Sequence, residues 1–296
     1  MNSPATTRQF GPLSEPVHVD AAGPGDPTWR DNAYLGFWSV DRAIFGEVHI
    51  STSPNSTHRF CRAALSVDRR QVEIIDPLEA NTFRGEHIDH DLDGHLTVDA
   101  TEFSVDLAYT PRFHPVDYSP KKCMGGLDLE RPLLHYEQTC EVSGTVVIGG
   151  ERVALRGRGF RDRTWGYRDE AKQWSEYLTV WGCFDDFDFT VMRYINQDGQ
   201  AGDGFVMDAG GATDVLDFGY TYQSAGLFHE VTLELATGER RVVTALPEGR
   251  DVFWLPMSPV IQTAPALQSL NEFIGLECGG AIGKGLVGYG HRRHIG

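Results

Sequence analysis

Phe103-Ser104-Val105-Asp106-Leu107-Ala108-Tyr109 decides how the rest of the chain is read. In an extended backbone Phe103, Val105, Leu107 and Tyr109 point one way, while Ser104, Asp106 and Ala108 point the other. This is the two-residue period of a strand with one dry face. A helix would spread the four apolar side chains around its circumference. Working outward, residues 43–50, 60–67 and 71–75 carry the same β character, and helical i, i+3, i+4 spacing is absent over any useful length. Asp93-Gly94, Gly149-Gly150, Asp185-Asp186 and Thr237-Gly238 each separate two such runs. Gly in three of these pairs supplies the positive φ that tight hairpins need, and short loops make neighbouring strands antiparallel. Many short strands with regular turn signals predict an all-β chain of barrels or sandwiches.

Before these runs, Pro4, Pro12, Pro16, Pro24 and Pro27 stand among Ser, Thr and Gly, and residues 1–31 are read as a loosely held arm. Between Pro111 and Arg131 the β pattern lapses into prolines, Lys121-Lys122 and Gly125-Gly126. The sequence therefore predicts a boundary there, with two β domains at 32–131 and 132–296. Across 296 residues, 26 Lys and Arg face 42 Asp and Glu, a net charge of −16. That balance argues against nucleic acid and against anionic membrane surfaces. No run approaches the ~18 apolar residues of a bilayer span. The five cysteines are odd in number and lack CxxC spacing, which fits a reduced, cytoplasmic setting.

Several motifs dissolve on inspection. Gly283-Lys284-Gly285-Leu286-Val287-Gly288 matches GxGxxG, but no βαβ context surrounds it, so it reads as a glycine-rich final strand. Residues 87–95 hold three His and three Asp, yet in a hairpin they point in different directions, and no metal site is expected. GxSxG, HExxH and Walker patterns are absent. Cys140 and Cys183 read as small buried hydrophobes rather than nucleophiles.

The chemically dense stretch runs from Gly157 to Asp169, with four Arg, two Asp, Trp165 and Tyr167 in thirteen residues. Arg–carboxylate pairs can satisfy one another where a lone charge is too costly to bury, and Trp and Tyr offer a flat wall to an apolar ligand. An Arg/Asp clasp that closes a barrel without chemistry fits the same residues.

His135-Tyr136-Glu137-Gln138, the run to Ile148, and Gly159-Phe160-Arg161-Asp162-Arg163-Thr164-Trp165-Gly166-Tyr167-Arg168-Asp169 together resemble a bacterial tandem lipocalin-like family. That family is related to AttH-like proteins and carotenoid 1,2-hydratase, and more distantly to lipocalin-like pericyclases. Its RDHSWG-type motif has a His-Ser pair where this chain has Arg163-Thr164. The resemblance implies two lipocalin-like barrels side by side with a hydrophobic cleft, no cofactor, and a hydrophobic small molecule as partner. It implies an enzyme that hydrates, dehydrates or cyclises a terpenoid or polyene by acid/base chemistry. Asp162, Asp169 and Glu137 are the expected catalytic carboxylates. Trp165, Tyr167 and Tyr136 are expected to line the cavity, with Arg161 and Arg168 positioning the carboxylates. A non-catalytic carrier and a shape-directed pericyclase are the alternatives; whether Asp162 or Asp169 opens into the cavity separates catalysis from carriage.

Overall fold

The computed structural model describes residues 10–121, 123, 133–168, 173–196, 199–223, 226–256 and 265–294. β1 (Trp29–Ser39), β2 (Ile44–Thr52), β3 (Phe60–Val67) and β4 (Arg70–Pro77) form a meander. They are followed by β5 (Ile88–His90), β6 (His95–Asp99), β7 (Phe103–Pro111) and the short β8 (Val116–Asp117). Two long strands, β9 (Leu134–Ile148) and β10 (Glu151–Tyr167), join the groups, because β10 pairs with β1 and β9 with β7. The first sheet thus runs β4-β3-β2-β1-β10-β9-β7-β6-β5. The second contains β11 (Glu176–Cys183), β12 (Phe187–Asn196), β13 (Gly199–Asp208), β14 (Gly211–Tyr222), β15 (Phe228–Leu235), β16 (Arg240–Ala245), β17 (Asp251–Pro256), β18 (Pro265–Cys278) and β19 (Ala281–His294). Its order is β16-β15-β14-β13-β12-β11-β19-β18-β17, and a β16–β18 pairing closes the barrel, with β16 and β17 pairing successive stretches of β18.

The all-β expectation holds, and β7 keeps the face it was read to have: Phe103, Val105, Leu107 and Tyr109 are all buried. Gly149 and Gly150, at φ 57° and 83°, turn β9 into β10, a conformation open to glycine at little cost. The predicted domain boundary needs correction. β9 and β10, assigned from sequence to the second unit, pair within the first sheet, and the change of sheet falls between Tyr167 and Glu176. The lapse of pattern after Pro111 marks a long connection inside one sheet, since the strands on either side of it pair with each other.

The arm is corrected as well, because residues 10–31 are pinned. Leu13 is fully buried, and Arg161 donates to the carbonyls of Leu13 (2.8 Å) and Leu92 (3.0 Å). Arg163 donates to the Glu15 carbonyl (2.7 Å) and makes a two-pronged pair with Asp31 (2.8 and 2.9 Å). β1 itself begins at Trp29.

Each barrel has its own apolar interior, the first including Leu35, Phe37, Val48, Leu107 and Leu155, the second Val180, Phe189, Leu233 and Ile274. A third cluster joins the two sheets through their outer faces: Trp38, Phe45, Phe160, Trp181, Phe273 and Leu286. Phe160 stacks on Trp181 with ring centroids 4.1 Å apart. Each such buried ring contributes on the order of 2–3 kcal/mol. Strands at this seam are therefore buried on both faces, and β1 and β2 have no exposed residue.

Candidate active site

Strand register builds the seam as a grid. In one row of the first sheet, Asn32 on β1 lies opposite Ser51 on β2 and Thr164 on β10, and Thr164 lies opposite His135 on β9. The next row reads His49, Tyr34, Asp162, Glu137. On the facing sheet, Tyr177 is flanked by Tyr194 and Gly290, Thr179 by Met192 and Gly288, and Trp181 by Thr190 and Leu286. A Cβ on Gly290 would sit 1.9 Å from the Tyr177 ring, and one on Gly288 2.8 Å from Thr179. The missing side chains let Tyr177 and Thr179 lean over β19, leaving space between the sheets. That space is a pocket with an enclosed centre of about 60 Å³, inside an envelope of about 600 Å³ that includes its open mouth. Trp181 lines it, with Phe160 stacked on its ring. Trp174, from the segment before β11, lines the pocket too, with Arg168 5.2 Å from its ring centroid.

Three carboxylates serve this face, and they are held differently. Glu47 is fully buried and accepts from Tyr34 Oη (2.9 Å), Asn271 Nδ2 (2.8 Å) and Arg62. Glu137, also fully buried, accepts from Trp181 Nε1 (3.2 Å) and the Thr190 hydroxyl. Its other oxygen lies 3.2 Å from His135 Nε2 without the alignment of a hydrogen bond. Asp162 stands apart: half-buried, it lines the pocket, and no hydrogen bond or ion pair ties it to another described residue. Burial raises its pKa to about 6, with His135 opposing and Glu137 reinforcing the shift and Arg168 and Arg161 also opposing it. His49 moves the other way: burial and the cations of Arg168, Arg62 and Arg30 push it down to about 3, so its ring is neutral. A carboxyl that exchanges its proton near pH 6 between aromatic walls can act as a general acid or base.

Strand alternation divides the residues anticipated from sequence. Asp162 and Arg168 line the pocket, and Glu137 sits beneath it. Trp165 and Tyr136 do not line it, against their expected place in its wall, and neither does Arg161: successive residues of a strand face opposite ways, and these lie on the other face of β9 and β10. Arg161 lies over the Phe10 and Tyr109 rings. Trp165 stacks between Tyr136 (5.4 Å) and His18 (4.8 Å). Tyr167, at the end of β10, is also absent from the lining, and Asp169 lies outside the described residues. Cys140 is buried with its thiol pushed up to about 12 by desolvation, unsuited to nucleophilic attack. His90 of the His-rich hairpin is hydrogen-bonded to Tyr109 Oη (2.8 Å), and among the described residues no group of three His, Cys, Asp or Glu is poised for a metal.

Sequence reasoning missed His49, His135, Tyr34, Asn32, Tyr177, Thr179 and Asn271, all of which line the pocket. A usable signal exists in β1 and β2, where the face opposite Ala33, Leu35, Val48 and Ile50 carries Asn32, Tyr34, Glu47 and His49 and no Lys. Such residues suit a polar surface that is itself covered.

Matched against protein families, residues 15–293 fit one described as a domain of unknown function, DUF7064. The chain belongs to the DUF7064 family. No curated protein matches this DUF7064 chain in sequence. Solved structures do resemble it in fold. An AttH candidate from Nitrosomonas europaea is 15% identical with a TM-score of 0.59, covering 95% of this chain and 98% of its own. Kievitone hydratase from Nectria haematococca is 11% identical with a TM-score of 0.56, covering 94% and 96%. CghA, solved with Sch210972, is 11% identical with a TM-score of 0.60, covering 98% of both chains. At these identities the likeness establishes the shared tandem barrel-like fold of the DUF7064 chain. No helix among its described residues is long and apolar enough to cross a membrane.

Proposed function

We propose that this chain is a cofactor-independent enzyme that hydrates, dehydrates or cyclises a hydrophobic terpenoid or polyene-type molecule in the cleft between its barrels, with Asp162 as the proton-transfer residue. The observation that carries this reading is the unpaired Asp162 carboxyl, raised to about 6 and opening into a pocket walled by Tyr34, Tyr177, Tyr194, Trp174 and Trp181. In its acid form Asp162 delivers a proton to one carbon of a double bond. The aromatic faces stabilise the positive charge on the other carbon. A water then bonds to that carbon and returns a proton to the Asp162 carboxylate, so H and OH are added and the residue is regenerated. Dehydration is the reverse. Capture of the cation by a second double bond of the same molecule, with the proton returned to Asp162, gives cyclisation. Glu137, held by Trp181 and Thr190, positions this wall. The hydratase named among the structural neighbours, and the small molecule held by CghA, fit such a role.

The test is incubation with a panel of isoprenoid alkenes in 18O-labelled water, read by mass spectrometry for one added labelled water and by chromatography for isomers. Asp162→Asn keeps the shape but cannot exchange a proton, and is expected to lose roughly 10²–10⁴-fold of the rate while still folding. Undiminished turnover by a folded Asp162→Asn protein removes Asp162 from the mechanism; ligand binding without turnover in the parent chain leaves a carrier.

A further inference from the structure

Four residues of the pocket wall carry polar atoms with no hydrogen-bond partner: Asn32 Oδ1, His49 Nδ1, both ring nitrogens of His135 and Thr179 Oγ1. These residues are only 3, 5, 4 and 5% exposed, respectively. Buried polar groups are nearly always satisfied, and leaving one unmet costs roughly 1–3 kcal/mol. These four are grouped rather than scattered. Asn32 and His135 flank Thr164 in one row of the grid, His49 lies in the neighbouring row with Asp162, and Thr179 faces them from the second sheet. The donor and acceptor types are mixed. Asn32 Oδ1 accepts, the Thr179 hydroxyl donates or accepts, and a neutral His49 ring carries one N–H and one bare nitrogen. An anionic ligand group would meet Asp162 here, with Glu137 and Glu47 behind the same wall, so that three carboxylates outnumber the lining cation Arg168. A hydroxyl both donates and accepts and carries no charge, and so matches this mixture.

We propose that this wall is a hydroxyl-binding subsite, and that the cleft takes a hydrophobic alcohol in preference to the corresponding hydrocarbon. The inference rests on the cleft being the ligand site of the proposed function and adds the chemical class of what enters it. The apolar body lies against Trp181 and the tyrosines, and the hydroxyl is received by Asn32, Thr179 and the imidazoles of His49 and His135, which orients the molecule before Asp162 acts.

Farnesol and the hydrocarbon farnesene are the probes, with quenching of tryptophan fluorescence as the readout, since Trp174 and Trp181 line the pocket. Farnesol is expected to bind at least about tenfold more tightly, because a site built for a hydroxyl is left with unmet polar groups by an analogue lacking it. Asn32→Leu and Thr179→Val, which keep the heavy-atom count and branching while removing the polar atoms, should each shrink the preference. If Asn32→Leu fails to fold by circular dichroism, Thr179→Val carries the comparison alone. Equal affinities, a preference unchanged in the folded variants, or no binding of either probe overturns the subsite. Labelled-water uptake by farnesene with equal affinities would remove the subsite while leaving the role of Asp162 standing. Selective farnesol binding without turnover of any alkene would do the reverse.

Discussion

Between about pH 3.8 and 6 the folded chain holds the Asp162 proton while the unfolded chain has released it. The native state binds more protons over that window, so this group's contribution to stability falls as pH rises through it and stays low above pH 6. Asp162→Asn removes the ionisation. The variant is therefore expected to melt a few degrees above the parent at pH 8, with the two converging below about pH 4, as measured by calorimetry across pH. A fixed Tm difference at all pH values contradicts the raised pKa. The Asp31–Arg163 pair has the opposite sign. Burial pushes the Asp31 pKa up, but hydrogen bonds from His18 and Arg163 outweigh it and leave it lowered. Its contribution is present above pH 3.8 and lost as pH falls through the lowered value. Both side chains are fully buried, so Arg163→Met strands a carboxylate and is expected to cost roughly 3–5 kcal/mol in urea unfolding. Arg163, at the position where the resembled motif has His, thus holds the chain leading into β1.

Within an element, the same substitution takes opposite signs at different places. A Cβ at Gly285 on β19 would lie 2.0 Å from the Trp181 carbonyl oxygen, where only backbone movement relieves the clash. Gly285→Ala is expected to destabilise by roughly 1–3 kcal/mol or more. Gly219 on β14 has nothing within 4 Å of the added carbon and no positive φ, so Gly219→Ala should stabilise by about 0.4–1 kcal/mol; urea titration of both variants checks the pair. Elements are also where legibility changes. β7 was readable because it has a dry face and a wetter one, with Asp106 and Ala108 exposed. β1 is buried on both sides, so burial gives no contrast with which to mark Asn32 and Tyr34 as facing a cleft. The crowding of the Arg/Asp/Trp stretch in sequence suggests one cluster where the strand makes two. Pocket residues as far apart as Asn32 and Asn271 come together only through sheet order, which no local motif records.

Across the whole molecule, the two sheets are joined by polar bonds as well as aromatic packing. Arg112 donates to Asp188 (2.9 Å) and to the Phe184 carbonyl (2.8 Å), Asn271 reaches Glu47, and Asp251 accepts from Ser66 (2.7 Å) and Gln71 (3.0 Å). With the largest rings of the seam shared, the barrels are expected to unfold in one calorimetric transition. Arg112→Ala leaves buried Asp188 without its cation and should cost roughly 3–5 kcal/mol, with the second barrel loosened first. Two resolved transitions in the parent chain would contradict a shared core. Such coupling suits a pocket with walls on different sheets, because the proton transfer proposed for Asp162 needs the facing aromatics held in place.

β10 sends residues 153, 155, 161 and 163 toward the interior of its own barrel and residues 160, 162 and 164 toward the neighbouring one. Suppose every substitution along it were scored twice in cells, once for the amount of protein that accumulates and once for product made per molecule. The two profiles would be combs of the same pitch, offset by one position. Drift at the even teeth can alter what the cleft accepts while the odd teeth keep the first barrel folded, so a lineage carrying this strand can change ligands without rebuilding its scaffold.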